Sequence, residues 1–179
     1  MNNVTSSAKL YDMFAAEIFR QLAFDGIAFF LAENGILANK KVVINDLRYQ
    51  DIQRALEQQL LGTPYRIKRT EGGITNTFLS NMQLTFPDVQ KIIHLPMTEK
   101  DTQTLTILKT VRTILTTPMC YQDKPIGAIM FFSLAEIVPR SDADLHLRAY
   151  FASFLGTTIT NSKNYALRQE QYRQITYLN

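Results

Sequence analysis

Cysteine is almost missing from this chain of 179 residues: Cys120 stands alone, which excludes an internal disulfide framework and any multi-cysteine zinc site. Histidine is nearly as scarce. His94 and His146 lie 52 positions apart, so a metal or haem centre has too few soft ligands. Dense positive charge is lacking as well. The formal net charge is +3 and no run of Lys or Arg exceeds two residues, which leaves out the basic footprint of a nucleic-acid binder and permits a small anionic ligand. The longest apolar run, 126–134, is interrupted by Gly127 and Ser133 and is far too short to span a bilayer. The first seven residues, with neither a basic start nor an apolar core, do not read as a signal peptide, and a cytoplasmic location without membrane attachment is expected. Catalytic signatures are missing too: there is no Gly-x-Ser-x-Gly, no phosphate-binding P-loop, no Gly-x-Gly-x-x-Gly and no His-x-x-x-His.

What remains is ordinary globular composition, 46% hydrophobic and 20% charged, with enough length for one α/β domain and a helical extension. Ser6-Ser7 is expected to cap a helix carrying Leu10, Phe14, Ile18 and Leu22 at steps of four. A buried strand is expected over 24–31, then a turn at Asn34-Gly35, which accepts the positive φ of a tight hairpin, then a return strand over 36–45. Asp46 is expected to cap a second helix with Ile52, Leu56 and Leu60 inward, stopped by Gly62 and Pro64. A short strand over 65–69 follows. The stretch 71–102, with its glycines, threonines and prolines, reads as irregular, and a stretch of that length in a compact domain suggests a functional lid. Residues 105–121 read as one or two strands, 126–134 as a central apolar strand, and Ser141 with Asp144 as a capping-box-like start of a long helix. That helix is apolar over more than half its circumference from Leu145 to Ile159, more than one sheet face needs. The surplus is expected to pack on the N-terminal helix or on a second copy of the chain. Tyr165, Tyr172 and Ile175 then form a fragment of a heptad.

The segment Pro118-Met119-Cys120-Tyr121-Gln122-Asp123-Lys124-Pro125-Ile126-Gly127-Ala128-Ile129 resembles the hairpin of GAF domains: a strand begun by Pro, a short polar turn, and an Ile-Gly pair opening the next strand. The acidic residues Asp142 and Asp144 before the last helix, and Asn161 followed by Tyr165, continue the resemblance, which covers roughly residues 8–165 and is specific in its final third. It implies an α+β fold in which a central antiparallel sheet is flanked by helices, GAF/PAS-like, with a long terminal helix. It also implies a pocket between the sheet and the segment 71–102. The expected organisation is a sensor domain over 1–165 and the start of a helical linker over 166–179, leading to a fused output domain such as a diguanylate cyclase.

GAF domains bind cyclic nucleotides, tetrapyrroles, haem, small organic acids or nothing. Cys120 sits in the hairpin and reads as a buried structural thiol rather than a bilin anchor, and His94 as a loop histidine. The GAF-like methionine sulfoxide reductases need several reactive cysteines, so a regulatory domain and not an enzyme is expected. For a cyclic nucleotide, Gly72 and Gly73 would offer N–H groups to the phosphate, Thr75 and Thr77 hydroxyls, Asn76 a purine-edge reader and Phe78 a stacking ring, although the same residues also read as a flexible polar loop. Asn39, Thr113 and Thr116 on strands would add pocket polarity, or else face solvent. The Asn-Lys, Phe, Asp-Glu set of many cyclic-nucleotide-binding members is incomplete: Val138 stands at the Phe position and Ala143 follows Asp142. The expected ligand is a cyclic nucleotide, cAMP before cGMP, with another small metabolite or an empty homodimerising module as alternatives. No resident cofactor or metal is expected.

Overall fold

The structure, a computed structural model, describes residues 2–178 and the side chains of residues 7–178. Along the chain run α1 (Asn2–Gln21), β1 (Gly26–Glu33), β2 (Ile36–Ile44), α2 (Gln50–Gly62), β3 (Tyr65–Arg66), α3 (Gly73–Ser80), β4 (Leu84–Phe86), α4 (Glu99–Leu108), β5 (Ile114–Tyr121), β6 (Lys124–Phe132) and α5 (Asp142–Leu178). All strand pairings are antiparallel, in the order β3-β2-β1-β6-β5-β4.

The two apolar runs of the sequence become β1 and β6, the centre of the sheet, because both their faces are covered. On one face Ala28, Phe30, Ala128, Met130 and Phe132 join Leu56 and Leu60 of α2 and Leu108 of α4. On the other face Ile27, Phe29, Ile129 and Phe131 join Tyr11, Phe14 and Ile18 of α1 and Ala152, Leu155 and Ile159 of α5. Successive strand residues point to opposite faces, so a strand buried twice must be apolar throughout.

Two tight turns hold this register. Asn34 and Gly35 both take positive φ, as the Asn-Gly pair predicts, and Gln122 and Asp123 do so at the β5–β6 hairpin. The pairing of β1 with β2 slips by one residue between Phe29 and Phe30, leaving Lys40 as the extra residue of a bulge. Gly127 answers the Ile-Gly expectation: a β-carbon there would stand 2.0 Å from the carbonyl oxygen of Phe30.

Several sequence expectations are corrected. Helix α1 already contains Ser6 and Ser7, so they are not its N-cap; the side chain of Ser6 lies outside the described residues. Asp46 caps a single 3-10 turn, accepting from the Arg48 N–H, and α2 starts at Gln50. The strand expected over 65–69 is two residues long. The stretch expected to be irregular holds α3, β4 and the first turn of α4. Residues 105–108, expected as strand, finish α4. Thr98 caps that helix by accepting the Asp101 N–H, and the buried Thr104 and Leu108 lie four apart on its inner side.

Helix α5 starts as expected, with the Asp144 N–H donating to Ser141 Oγ. It runs unbroken for 37 residues, about 55 Å at 1.5 Å per residue. Its first half lies along β5, and Gly156 sits so close that a β-carbon would be 2.2 Å from the Cys120 carbonyl oxygen. Arg148, inside the apolar arc, is buried with its guanidinium 5.6 Å from the Phe24 ring centroid. From Asn161 on, nearly every residue is exposed, Tyr165, Tyr172 and Ile175 included.

Candidate ligand cavity

A cavity of about 220 Å³ opens between the sheet and the helices on the α2–α4 side. Its floor is Phe30, Ile114, Thr116 and Met130 from the sheet. Leu60, Tyr65, Gly73 and Ile74 line its side, joined through hydrogen bonds to Asp101 and Thr104 of α4, with Leu105 beside them. The roof is the segment between β4 and α4, with Val89, Ile92, Leu95, Pro96 and Met97 facing in and Phe86 closing one end. This roof occupies part of the stretch 71–102 expected to form a lid. Its base is fixed: the Val89 N–H donates to the Arg112 carbonyl at 2.6 Å, and Gln90 Nε2 donates to the Val111 carbonyl at 2.8 Å. Its crest is half-exposed at Leu95.

The wall polarity converges on Asp101. Tyr65 donates its hydroxyl to Oδ1 at 3.0 Å, and the Gly73 N–H, in the first turn of α3, donates to Oδ2 at 3.0 Å. Thr104 Oγ1 is 3.2 Å from the Tyr65 oxygen. Burial pushes the Asp101 carboxyl above the usual carboxylate range, against the pull of these donors. Burial, reinforced by the Asp101 charge, raises the Tyr65 phenol as well. Gly72 is required here, with φ +156° and a β-carbon position 2.4 Å from Asp101 Oδ1. No lysine, arginine or histidine is among the lining residues.

Beside the cavity lies a second carboxylate with a different fate. Glu71 is buried and paired with Lys100, and it accepts the Arg66 N–H at 2.9 Å, with the Arg66 guanidinium at 3.2 Å. Lys100 also donates to the Pro64 carbonyl at 2.7 Å. The Lys100 hydrogen bond, then that from Arg66, hold the Glu71 carboxyl down to about 2. This pairing ties the start of α4 to the loop before α3, across one edge of the cavity.

Of the residues expected at a site, Gly73 and Thr116 line the cavity; the other seven do not. Asn39 spans the bulge, donating to the Phe29 carbonyl at 3.2 Å and the Lys41 carbonyl at 3.3 Å. Gly72 packs behind the wall. Thr75 is fully buried, and Thr77 shares a hydrogen bond with Thr116, hydroxyl to hydroxyl. Asn76 donates to the Gly72 and Arg69 carbonyls, and Phe78 packs on the core. Thr113 donates to the Pro87 carbonyl and accepts the Val138 N–H, both at 2.9 Å. Cys120 is half-buried rather than buried, with Sγ 3.2 Å from Asn81 Oδ1, and His94 is exposed and does not line the cavity.

Asp101 and Tyr65, which sequence reasoning passed over, are the polar centre of the cavity. The available signal was Thr98 followed three residues later by Asp101, a capping-box spacing within the supposedly irregular stretch.

Among the described residues no helix is long and apolar enough to cross a membrane, and no group of His, Cys, Asp and Glu is placed to hold a metal ion. No family model and no curated protein matches the sequence. Solved structures do match the fold. A GAF domain/HD domain protein from Geobacter sulfurreducens superposes with a TM-score of 0.68 at 12% identity, over 89% of this chain and 95% of that one. The GAF domain of a two-component sensor histidine kinase from Bacillus halodurans gives 0.64 at 19% identity, over 89% and 97%. A free methionine-R-sulfoxide reductase from Thermoplasma acidophilum gives 0.61 at 16% identity, over 90% and 96%. The chain has the GAF fold: an antiparallel six-stranded sheet with flanking helices and a long C-terminal helix.

Proposed function

We propose that this chain is a regulatory sensor module, in which a small molecule fills the cavity and alters how α5 sits on the sheet. The observation that carries this is the cavity itself: apolar, roofed by a segment fixed at one end, and lined by both the sheet and α4. A single reacting pair of side chains is not assembled in it, which favours binding over chemistry. Ligand sites are characteristically concave and apolar with a few placed polar groups. The fold's likeness to the GAF domain of the Bacillus halodurans two-component sensor histidine kinase supports the same class.

A cyclic nucleotide, cAMP ahead of cGMP, is the second reading, favoured by Gly73 at the first turn of α3. Against it, the Gly73 N–H already serves Asp101, whose negative charge opposes a phosphate, and no cationic side chain lines the cavity. The volume also lies below the ~300 Å³ at which pockets for drug-sized ligands begin. We therefore favour a smaller metabolite.

Transmission would run through a homodimer. Tyr150 and Phe154 on α5 are exposed, with Tyr150 stacked on Phe154 and Phe154 against Phe14 of α1, an apolar face fit for a second copy, and Met13 on α1 is exposed as well. An effector such as a diguanylate cyclase would receive the signal at the far end of α5.

Thermal melting of wild type and Leu105→Trp against a panel of cyclic nucleotides and small metabolites tests this reading. Leu105 lines the cavity and is half-buried, so the indole fills the space. A ligand at one hundred times its dissociation constant stabilises by about 2.7 kcal/mol, or roughly 5–10 °C for a domain of this size. A shift in wild type that Leu105→Trp abolishes supports the sensor. A shift of equal size in both proteins, or none across the panel, refutes it.

A further inference from the structure

The hydrogen bonds already made in the cavity define what its occupant must bring. The donors at its polar end are already engaged: the Tyr65 hydroxyl and the Gly73 N–H both serve Asp101, and the Thr116 hydroxyl is paired with that of Thr77. What is left over is acceptor capacity: the Asp101 carboxylate takes Tyr65, Gly73 and the Thr98 side chain as donors, and with about four acceptor positions it has room for one more. Neighbouring cations are committed elsewhere: Lys100 and Arg66 pair with Glu71, Lys100 Nζ also lies 5.9 Å from the Tyr65 ring centroid, and neither lines the cavity. The carboxylate therefore faces an apolar space without a counter-charge of its own.

Aromatic rings surround the same place. From the point where a β-carbon on Gly73 would stand, Phe86 Cε2 is 3.8 Å away and Asp101 Oδ2 4.0 Å away. Tyr65 meets Phe30 edge-on, with centroids 6.4 Å apart, and both line the cavity. A carboxylate with aromatic rings close by is an environment suited to a desolvated ammonium, through a charge-assisted hydrogen bond and the ring quadrupoles together. The rest of the lining, Ile74, Val89, Ile92, Ile114 and Met130, offers no hydrogen bond and suits a short hydrocarbon or single-ring body.

We propose that the cavity is a receptor for a small primary amine with an apolar body, its ammonium held by Asp101 beside the rings of Tyr65 and Phe86. The proposal rests on reading the cavity as the ligand site, and it narrows that reading to one chemical class. A carboxylate or phosphate ligand would meet Asp101 as a like charge. A neutral isostere would fill the same space and leave the carboxylate more deeply desolvated than before.

Three probes of similar shape test it by calorimetry: phenethylamine, phenethyl alcohol and phenylacetate, titrated into wild type, Leu105→Trp and Asp101→Asn. The expected result is that phenethylamine binds wild type roughly tenfold or more tightly than the alcohol, as a hydrogen bond to a charged group allows. Phenylacetate should bind more weakly than either. Leu105→Trp should lose all binding, and Asp101→Asn should bring amine and alcohol to within about twofold of each other. A purely structural Asp101 would leave the amine-to-alcohol ratio untouched. Should Asp101→Asn fail to fold, the wild-type ratio and its loss in Leu105→Trp decide alone. Alcohol binding as tight as amine overturns the amine proposal and leaves the ligand cavity standing. Amine binding that survives in Leu105→Trp lies outside the cavity and also overturns it. If none of the three probes binds wild type, the amine proposal fails; the wider metabolite panel then decides the sensor reading.

Discussion

Replacing Gly156 by Ala is the sharpest test of how α5 is seated. Helix propensity alone favours the substitution, because Ala is better than Gly in a helix interior by about 1 kcal/mol. Contact opposes it. The new β-carbon would stand 2.2 Å from the Cys120 carbonyl oxygen and 2.9 Å from its carbonyl carbon, both backbone atoms of β5. Ordinary contact between such atoms is near 3.4 Å, so helix and strand must separate by about 1 Å. That separation loosens the packing of Ala152, Leu155 and Ile159, all buried against the sheet. Overpacking of this kind costs about 1–3 kcal/mol, and after the propensity gain of about 1 kcal/mol up to about 2 kcal/mol of destabilisation should remain. Gly62, at the end of α2, has nothing within 4 Å of its β-carbon position and serves as the control, where Ala should be neutral or stabilising. Urea unfolding of both variants reads the difference, with a fall in midpoint at unchanged slope expected for Gly156→Ala. If Gly156→Ala is as stable as Gly62→Ala, α5 does not rest on β5 as described.

Three further predictions concern named polar groups. Glu71 has its carboxyl lowered from 4.5 to about 2, chiefly by Lys100, so its contribution is present above pH 4.5 and is lost as the pH falls toward about 2. Lys100→Met should therefore lower stability at neutral pH by about 2 kcal/mol, the worth of a hydrogen bond to a charged group, and flatten this acid limb; an unchanged pH profile of melting would refute the pairing. Asp101 shows the opposite sign, because burial raises its carboxyl. Its charged form costs stability at neutral pH, and the cost is relieved as pH falls through the raised value. Asp101→Asn should accordingly melt higher than wild type at pH 7 and no higher in acid, and a lower melting temperature at pH 7 would count against a strained carboxylate. Asn39→Ala removes two donations to bulge carbonyls and should cost about 1–2 kcal/mol by denaturant titration. It should leave binding in the cavity unaltered, since Asn39 is not part of the lining.

The parts of the fold that could be read from sequence are those with a repeating physical signal. Ile27 to Leu31 and Ile129 to Phe132 are apolar on consecutive positions because both sheet faces are covered, and Asn34-Gly35 encodes its turn through its φ values. Helices α3 and α4 escaped notice because they bury hydroxyls. Thr75, Thr77 and Thr104 sit where an apolar stripe would normally mark a helix, so periodicity in hydrophobicity is silent there. The cavity was less legible still. The Gly72–Phe78 segment looked like a polar loop rich in ligand-binding groups, yet once it coils into α3 its Asn and Thr side chains turn to neighbouring carbonyls and hydroxyls. The polar centre instead joins Tyr65 to Asp101, 36 positions away, a pairing made by tertiary packing and invisible to any local pattern.

The seating of α5 at Gly156 also sets a mechanical ratio. The glycine brings helix and strand backbones into direct contact, so it acts as a fulcrum, and the 22 residues from there to Leu178 form an arm of about 33 Å at 1.5 Å per residue. A tilt of ~5° about that point sweeps the tip through about 3 Å, by the same helical rise. A sub-ångström adjustment of β5, whose Thr116 forms part of the cavity floor, would by such a tilt be enlarged several-fold at the exposed end without any residue of the helix changing its conformation.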